Sequence, residues 1–212
     1  MYINKFNLET NFDSILPFLK ENNFGILVTA TAGHLVATHI PFEITSDTPD
    51  QLVLRAHLAK ANKQWKQLSA NTELLVIFQG PNAYISPRWY DHINVPTMNY
   101  IAVHAYGKPR IIEDSEEVYA ILKSQIESFE KEHVSAYNIT TMPESFLHAE
   151  MRALVALEIK VERVESNFKL SQNRDEKNYR NIIEELEKRN DAGSQAIASH
   201  MKIVYAREGY KK

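Results

Sequence analysis

With 212 residues, 44% of them hydrophobic, the chain can bury one substantial core and fits one domain with appendages. A net charge of −3 does not point to nucleic acid, and the absence of cysteine excludes a disulfide framework, a thiolate metal site and a cysteine nucleophile. The opening MYINKFNLET has no apolar signal core, and no apolar run approaches the ~18 residues of a membrane span, so a cytoplasmic protein is expected.

After an extended start at Met1–Leu8, NFDSILPFLKENN reads as a helix. Pro17 fits there if Asp13 is the N-cap, because Pro17 is then the fourth helical residue, whose N–H has no partner in any case. GILVTAT (25–31), a turn at Ala32-Gly33 and HLVATHIPFEIT (34–45) form a hairpin. The cluster Asp47-Thr48-Pro49-Asp50 turns the chain into the strand QLVLRAHL, and NKQWKQLSA is a short helix.

Between Thr72 and Arg110 three strand-like segments follow one another: an apolar run, NAYISP after a break at Gly80-Pro81, and a long strand from Pro96-Thr97. Short connections make this a meander or a barrel wall. Gln79, Asn99, Tyr100, His104 and Tyr106 sit on it among Ile, Val and Ala, as if facing a ligand with a flat surface and polar edges.

Beyond Arg110 the period changes. Asp114 with Glu117 resembles a capping box, and Val118, Ile121, Leu122, Ile126 and Phe129 recur at helical spacing. A second helix starts at Pro143. VALEIKVERV (155–164) alternates, with Val155, Leu157, Ile159 and Val161 inward and Glu158, Lys160 and Glu162 outward. From Arg174 a helix carries Tyr179, Ile182, Ile183 and Leu186 on one stripe. A break at Asp191-Ala192-Gly193 precedes a last amphipathic segment with Ile197, Met201 and Val204. Six or seven strands in an antiparallel barrel-like sheet with peripheral helices make the fold α+β.

No hydrolase elbow, zincin motif, Walker loop or dinucleotide fingerprint is present, and the eight histidines show no paired ligand spacing, so no metal is expected. No two helices joined by a short turn carry a basic recognition face. What remains is a polar set on strands and their ends. His57, Lys60 and Asn62, with a helix start at Lys63, combine the donors a phosphate needs, though His and Lys at a strand end are more often plain surface residues. Trp65, Trp89, Tyr90 and Tyr100 are of types that serve more often as core or interface anchors than as cofactor walls.

Several stretches, in order, tie these residues together: MYI, THIPF at Thr38–Phe42, RAHLAKANKQW at Arg55–Trp65, VIFQGPNAYISPRWY at Val76–Tyr90, VPTMNYIAVHAYG at Val95–Gly107 and FKLSQNR at Phe168–Arg174. In them the sequence resembles the PaiB-type FMN-binding negative transcriptional regulators, over Met1 to about Leu186. The resemblance implies an antiparallel split β-barrel of the FMN-binding kind with peripheral helices. Residues 1–190 would be that domain with helical insertions, and 191–212 a C-terminal amphipathic helical extension. It further implies a homodimer with FMN at the subunit interface. Thr38, His39, Ile40 and Pro41 would lie along the flavin ring and ribityl chain, and His57, Lys60 and Asn62 would hold the phosphate. The partner subunit would supply Trp89, Tyr90, Thr97, Asn99, Lys169, Gln172 and Arg174. The connection DHINV between Tyr90 and Pro96 is shorter than the family pattern and borders this pocket.

Two functions follow from that resemblance. One is a regulator of protease synthesis and sporulation that acts without an evident DNA-reading element, by indirect means or through a partner. The other is a flavin-dependent oxidoreductase of the pyridoxamine-phosphate-oxidase or flavin-reductase kind, since electron transfer is the common use of the cofactor. A weaker third is a haem-utilisation protein with His39, His57 or His104 as axial ligand.

Overall fold

The computed structural model describes residues 1–31, 33–45, 48, 51–131 and 137–208. The expected turn at Ala32-Gly33 lies partly outside the described residues, and the turn at 47–50 almost wholly so. In chain order the elements are α1 (Phe12–Glu21), β1 (Phe24–Thr31), β2 (His34–Pro41), β3 (Glu43–Thr45), β4 (Val53–Ala59), β5 (Leu74–Ile85), β6 (Thr97–Ile112), α2 (Ser115–Glu130), α3 (Glu144–Arg152), β7 (Leu154–Lys169), α4 (Glu176–Glu187) and α5 (Ala192–Glu208). Among the described residues the seven strands form one antiparallel sheet in the order β2-β1-β5-β6-β7-β4-β3, open at β2 and β3. The α+β expectation holds. No helix among the described residues is long and apolar enough to cross a membrane.

The chain divides into two compact units, one of Met1–Phe18, Gln79–Val103 and Glu165–Lys212, the other of Leu19–Phe78 and His104–Val164. The chain passes from one to the other inside α1, β5, β6 and β7. In the second unit β1 and β2 pair from Phe24↔Pro41 to Thr31↔His34, and β4 pairs with β7 through His57↔Ala156. Its apolar cluster joins Ile112, Val118, Ile121 and Ala156, with Leu122, Met151 and Leu154 packed against it. In the first unit Phe18 meets Phe168 at 5.5 Å between ring centroids, while α4 and α5 bury Tyr179, Ile182, Leu186, Ile197 and Met201. The Tyr179 hydroxyl donates to the Met201 carbonyl at 2.9 Å, which ties the two helices together.

Several elements differ from the sequence reading. Helix α1 begins one residue before Asp13, with Asn11 as its cap: the Asp13 N–H donates to Asn11 Oδ1 at 2.9 Å. Pro17 is therefore the sixth helical residue and gives up a real hydrogen bond, to the Asp13 carbonyl. Burial of Ile15, Phe18 and Leu19 on the same helix offsets that loss. The break at Gly80-Pro81 is absorbed within β5, which is one strand of 12 residues. Glycine stands at 80 because the Phe18 ring presses on the strand there; a Cβ would lie 2.4 Å from Phe18 Cε2.

The stretch after Asn62 is a 3-10 helix, Lys63–Gln67, shorter than the helix expected. On α2 the Asp114 cap forms, with the Glu117 N–H donating to Asp114 Oδ1 at 2.9 Å. The Glu117 carboxylate turns to Arg110 rather than closing the box. Phe129 is 54% exposed, and Gln125 takes a buried place on that helix. The expected break before the last helix is present but falls a little earlier, at 188–191, and Asp191 closes it by capping α5, accepting from the Ser194 N–H at 2.8 Å.

Candidate flavin site in two half-sites

The strand period separates residues that neighbour each other in sequence. Asn99 and Tyr100 are successive on β6 and so point to opposite faces, Asn99 being fully buried, and Gln79 is exposed. The polar face read from the sequence is therefore not one face. The candidate residues instead fall into two sets, one in each unit.

In the second unit Thr38, His39, Ile40 and Pro41 lie on the edge strand β2, His57 on β4, and Lys60 and Asn62 in the turn after it. The organising side chain here is Gln64, which no motif or spacing singles out and which is 2% exposed. The two hydrogens of its amide are shared among the Leu27 carbonyl (3.0 Å), the Val36 carbonyl (3.1 Å) and Thr29 Oγ1 (3.2 Å). Its oxygen accepts from the Thr38 hydroxyl. Asn62 Nδ2 donates to Thr38 Oγ1 at 3.0 Å, and Asn62 Oδ1 accepts from the Gln64 N–H at 3.0 Å, capping the 3-10 helix. Thr38 and Asn62 are thus brought together, with their side chains committed to the protein. Lys60 is exposed. Its amine gives one hydrogen bond to the Arg152 carbonyl at 3.1 Å and keeps two hydrogens for an anion. His39 is exposed, with its ring 6.2 Å from Phe24, and Ile40 is buried.

His57 is held differently. Its Nδ1 lies 3.0 Å from Gln125 Oε1, while Gln125 Nε2 donates to the Arg55 carbonyl at 3.4 Å, so the amide is oriented and Nδ1 carries the proton. Neutral His57 then presents a lone pair at Nε2, and it offers a phosphate a donor only when protonated. Burial pushes its pKa below the ordinary 6.5, against a smaller opposite effect of the Gln125 bond. Below pH ~6.5 the unfolded chain therefore takes up a proton that folded His57 resists. Stability falls as pH drops through that window and is unaffected by His57 above it. Denaturant midpoints near pH 7.5 and pH 5 should differ more for the parent chain than for His57→Gln; equal differences would remove His57 as the source.

In the first unit a pocket of about 300 Å³ gathers Thr97, Asn99, Lys169 and Arg174, with Tyr100 and Asn167 and a wall from Tyr2 to Asn7. The Lys169 amine donates to Thr97 Oγ1 at 2.6 Å; burial, and then the Arg174 charge, hold its pKa below the usual lysine range. Asn167 Nδ2 donates to the Tyr100 hydroxyl at 2.9 Å. Just past β7, Ser171 adopts φ 63°, an uncommon left-handed conformation for a residue with a Cβ. Its hydroxyl donates to buried Asn99 Oδ1 at 3.0 Å, which fixes that turn. The three remaining candidates stand outside the pocket lining. Tyr90 lies under the Arg174 guanidinium at 5.0 Å, Gln172 folds back onto the Phe168 carbonyl and the Leu170 N–H, and the Trp89 carbonyl accepts from Asn181 at 3.5 Å.

The donor set suits a flavin monophosphate in kind: an available lysine amine beside a strand edge in one unit, and amides, hydroxyls, an aromatic ring and two cations in the other.

Comparison with known proteins agrees. Residues 1–163 match the family described as "Putative FMN-binding domain". The chain is 38% identical over 201 residues to protease synthase and sporulation protein PAI 2 of Bacillus subtilis, covering 95% of this chain and 96% of that one. Among solved structures it resembles the flavocytochrome Anf3 of Azotobacter vinelandii, with a TM-score of 0.59 at 12% identity over 84% of this chain and 78% of that one. It also resembles an FAD and heme binding protein of Mycobacterium smegmatis, with a TM-score of 0.55 at 15% identity over 77% and 73%. Those two likenesses are of fold, and the fold is that of the flavin-binding split barrels. On the strength of a family match across most of its length and a near full-length bacterial relative, the chain belongs to the PaiB-type family of FMN-binding split-barrel proteins.

Proposed function

We propose that the protein is an FMN-binding homodimer that acts in the cytoplasm as a negative regulator of transcription, of the protease-synthesis and sporulation kind. The observation that carries the flavin reading is how the candidate residues partition. Thr38, His39, Ile40, Pro41, His57, Lys60 and Asn62 all belong to one unit, and Trp89, Tyr90, Thr97, Asn99, Lys169, Gln172 and Arg174 all belong to the other. The family resemblance divides the same residues, along the same line, between two subunits of a dimer. Lys60 holds the phosphate, the β2 edge Thr38–Pro41 lies along the ring and ribityl chain, and the second set comes from the other copy.

The regulatory part rests on the relative's name, which links that protein to protease synthesis and sporulation. Helices α4 and α5 bury their apolar sides against each other and carry a Lys188–Glu185 ion pair at the end of α4 and a Lys202–Glu187 pair between the two helices. Such a mixed-charge pair is a poor DNA reader, so regulation passes through a partner or a bound ligand. A salt-sensitive, sequence-specific shift of promoter DNA by the protein alone would overturn that part. The oxidoreductase reading is the alternative, favoured by the two cations of the first unit's pocket, and stopped-flow reduction of bound flavin by NAD(P)H is its test.

The purified protein should show flavin maxima, release a cofactor of FMN mass and run near twice its monomer mass on a sizing column. Lys60→Ala should weaken FMN binding by at least about 1 kcal/mol, as one charge-assisted contact is lost. Unchanged affinity in that variant would remove Lys60 from the phosphate site, and a colourless monomer would sink the reading.

A further inference from the structure

The second unit holds a cavity of about 420 Å³ in which Lys60 is the only member of the flavin set to take part. Its floor is apolar. Ile112 at the end of β6, Val118 on the first turn of α2, and Val155 and Ala156 at the start of β7 are buried there, with Met151 and Leu154 half-buried beside them. No residue of α3 is fully buried, so that helix leaves part of the Ile112, Val118 and Ala156 cluster open rather than sealing it. Water on such a floor meets few polar partners, and an apolar body that displaces it gains the burial that α3 leaves unmade.

The polar residues of the lining, Lys60, Glu113, Ser115, His148 and Arg152, are all exposed and so stand at the mouth. Their charges do not balance. The Lys60 amine donates to a neutral acceptor, the Arg152 carbonyl, and the Arg152 guanidinium has no acidic partner among the described residues. Glu113 is the one carboxylate among the described residues of the lining. His148 adds charge only when protonated, and its Nε2 then faces Glu144 at 3.5 Å. With Lys60 assigned to the flavin phosphate, Arg152 is the cation left over, and a guanidinium at the mouth of an apolar cavity suits a carboxylate.

We infer that this cavity binds an amphipathic carboxylate of the medium-chain fatty-acid type, its chain over the apolar floor and its carboxylate on Arg152 at the mouth. The inference does not rest on the flavin reading, since Arg152, Glu113 and the floor residues all lie outside the set assigned to FMN.

The test titrates the full-length protein, saturated with FMN, with decanoate in a calorimeter near pH 7.5 and at low salt. One decanoate should bind per chain with Kd of about 0.1 mM or tighter. Hexanoate, which covers less of the floor, and decyltrimethylammonium, which has the same chain and the opposite charge, should each bind at least about tenfold more weakly. Two substitutions of exposed side chains should move decanoate in opposite directions: Arg152→Gln weakens it about tenfold, and Glu113→Gln, which removes a repelling charge, tightens it about twofold. No binding, equal binding of decanoate and decyltrimethylammonium, or indifference to both substitutions would overturn the inference. So would competition with FMN, which would put the carboxylate on Lys60, or a halved mass on a sizing column, which would give the cavity to a second copy. The same responses from a protein that takes up no FMN would count against the flavin reading and for this ligand.

Discussion

Gly107→Ala should destabilise the protein by about 3 kcal/mol and lower its melting temperature by roughly 10 °C, among the largest losses a single methyl can cause in this chain. A Cβ at Gly107 would stand 2.2 Å from the Lys160 carbonyl oxygen, 2.9 Å from its carbon and 3.0 Å from Ile159 Cγ2. The first two are backbone atoms of β7, so they can retreat only by moving a strand whose next residues pair with β4. Gly80→Ala is the internal control. Its Cβ would meet the far edge of the Phe18 ring, at 2.4 Å and 2.9 Å, and a side chain can rotate where a strand cannot. That change should cost about 1 kcal/mol. Urea midpoints for the two variants decide the point: equal losses would mean that β6 and β7 separate there as easily as a phenyl ring swings.

Gln64→Met should cost about 3 kcal/mol of stability and weaken flavin binding about tenfold, although Gln64 reaches no ligand in the proposed site. The two side chains have similar volume, so no cavity opens, and the gain from burying a thioether is about 1 kcal/mol. Against it stand the Leu27 and Val36 carbonyls and the Thr29 and Thr38 hydroxyls, four groups that lose their Gln64 partner together. Each buried polar group left unpaired costs about 1–3 kcal/mol, and the hydroxyls can re-pair, so the carbonyls dominate the sum. The effect on flavin follows from position. Gln64 bonds the Thr38 hydroxyl and the Val36 carbonyl on β2, so its loss removes two ties on the strand edge along which the ring is proposed to lie and leaves Asn62 alone holding Thr38. A variant with normal FMN affinity and a lowered midpoint would confine Gln64 to the fold. Normal values for both would mean that the network carries neither.

The chain by itself determined whatever depends on near neighbours. The alternation of Val155, Leu157, Ile159 and Val161 places β7, and Asp114 three residues before Glu117 places the start of α2, because strand pleat and helix cap are set within a few residues. The order of the family stretches likewise pointed to a flavin-binding split barrel. The reading failed in two ways: Gly80-Pro81 reads as a break until Phe18, remote in sequence, is laid against it, and Pro17 reads as a tolerated first-turn residue until the cap falls on Asn11 rather than Asp13.

Only the tertiary structure decided which polar side chains are committed and which are available. Gln64 meets Val36 across 28 positions, His57 meets Gln125 across 68, and Asn167 meets Tyr100 across 67. A buried glutamine or asparagine leaves no periodic trace, since its place in a core depends on partners that arrive from other strands rather than on hydrophobicity. That is why Lys60 and the Lys169–Arg174 pair emerge as the groups with charge to spare, while the Thr38 and Asn62 side chains are spent on hydrogen bonds within the protein.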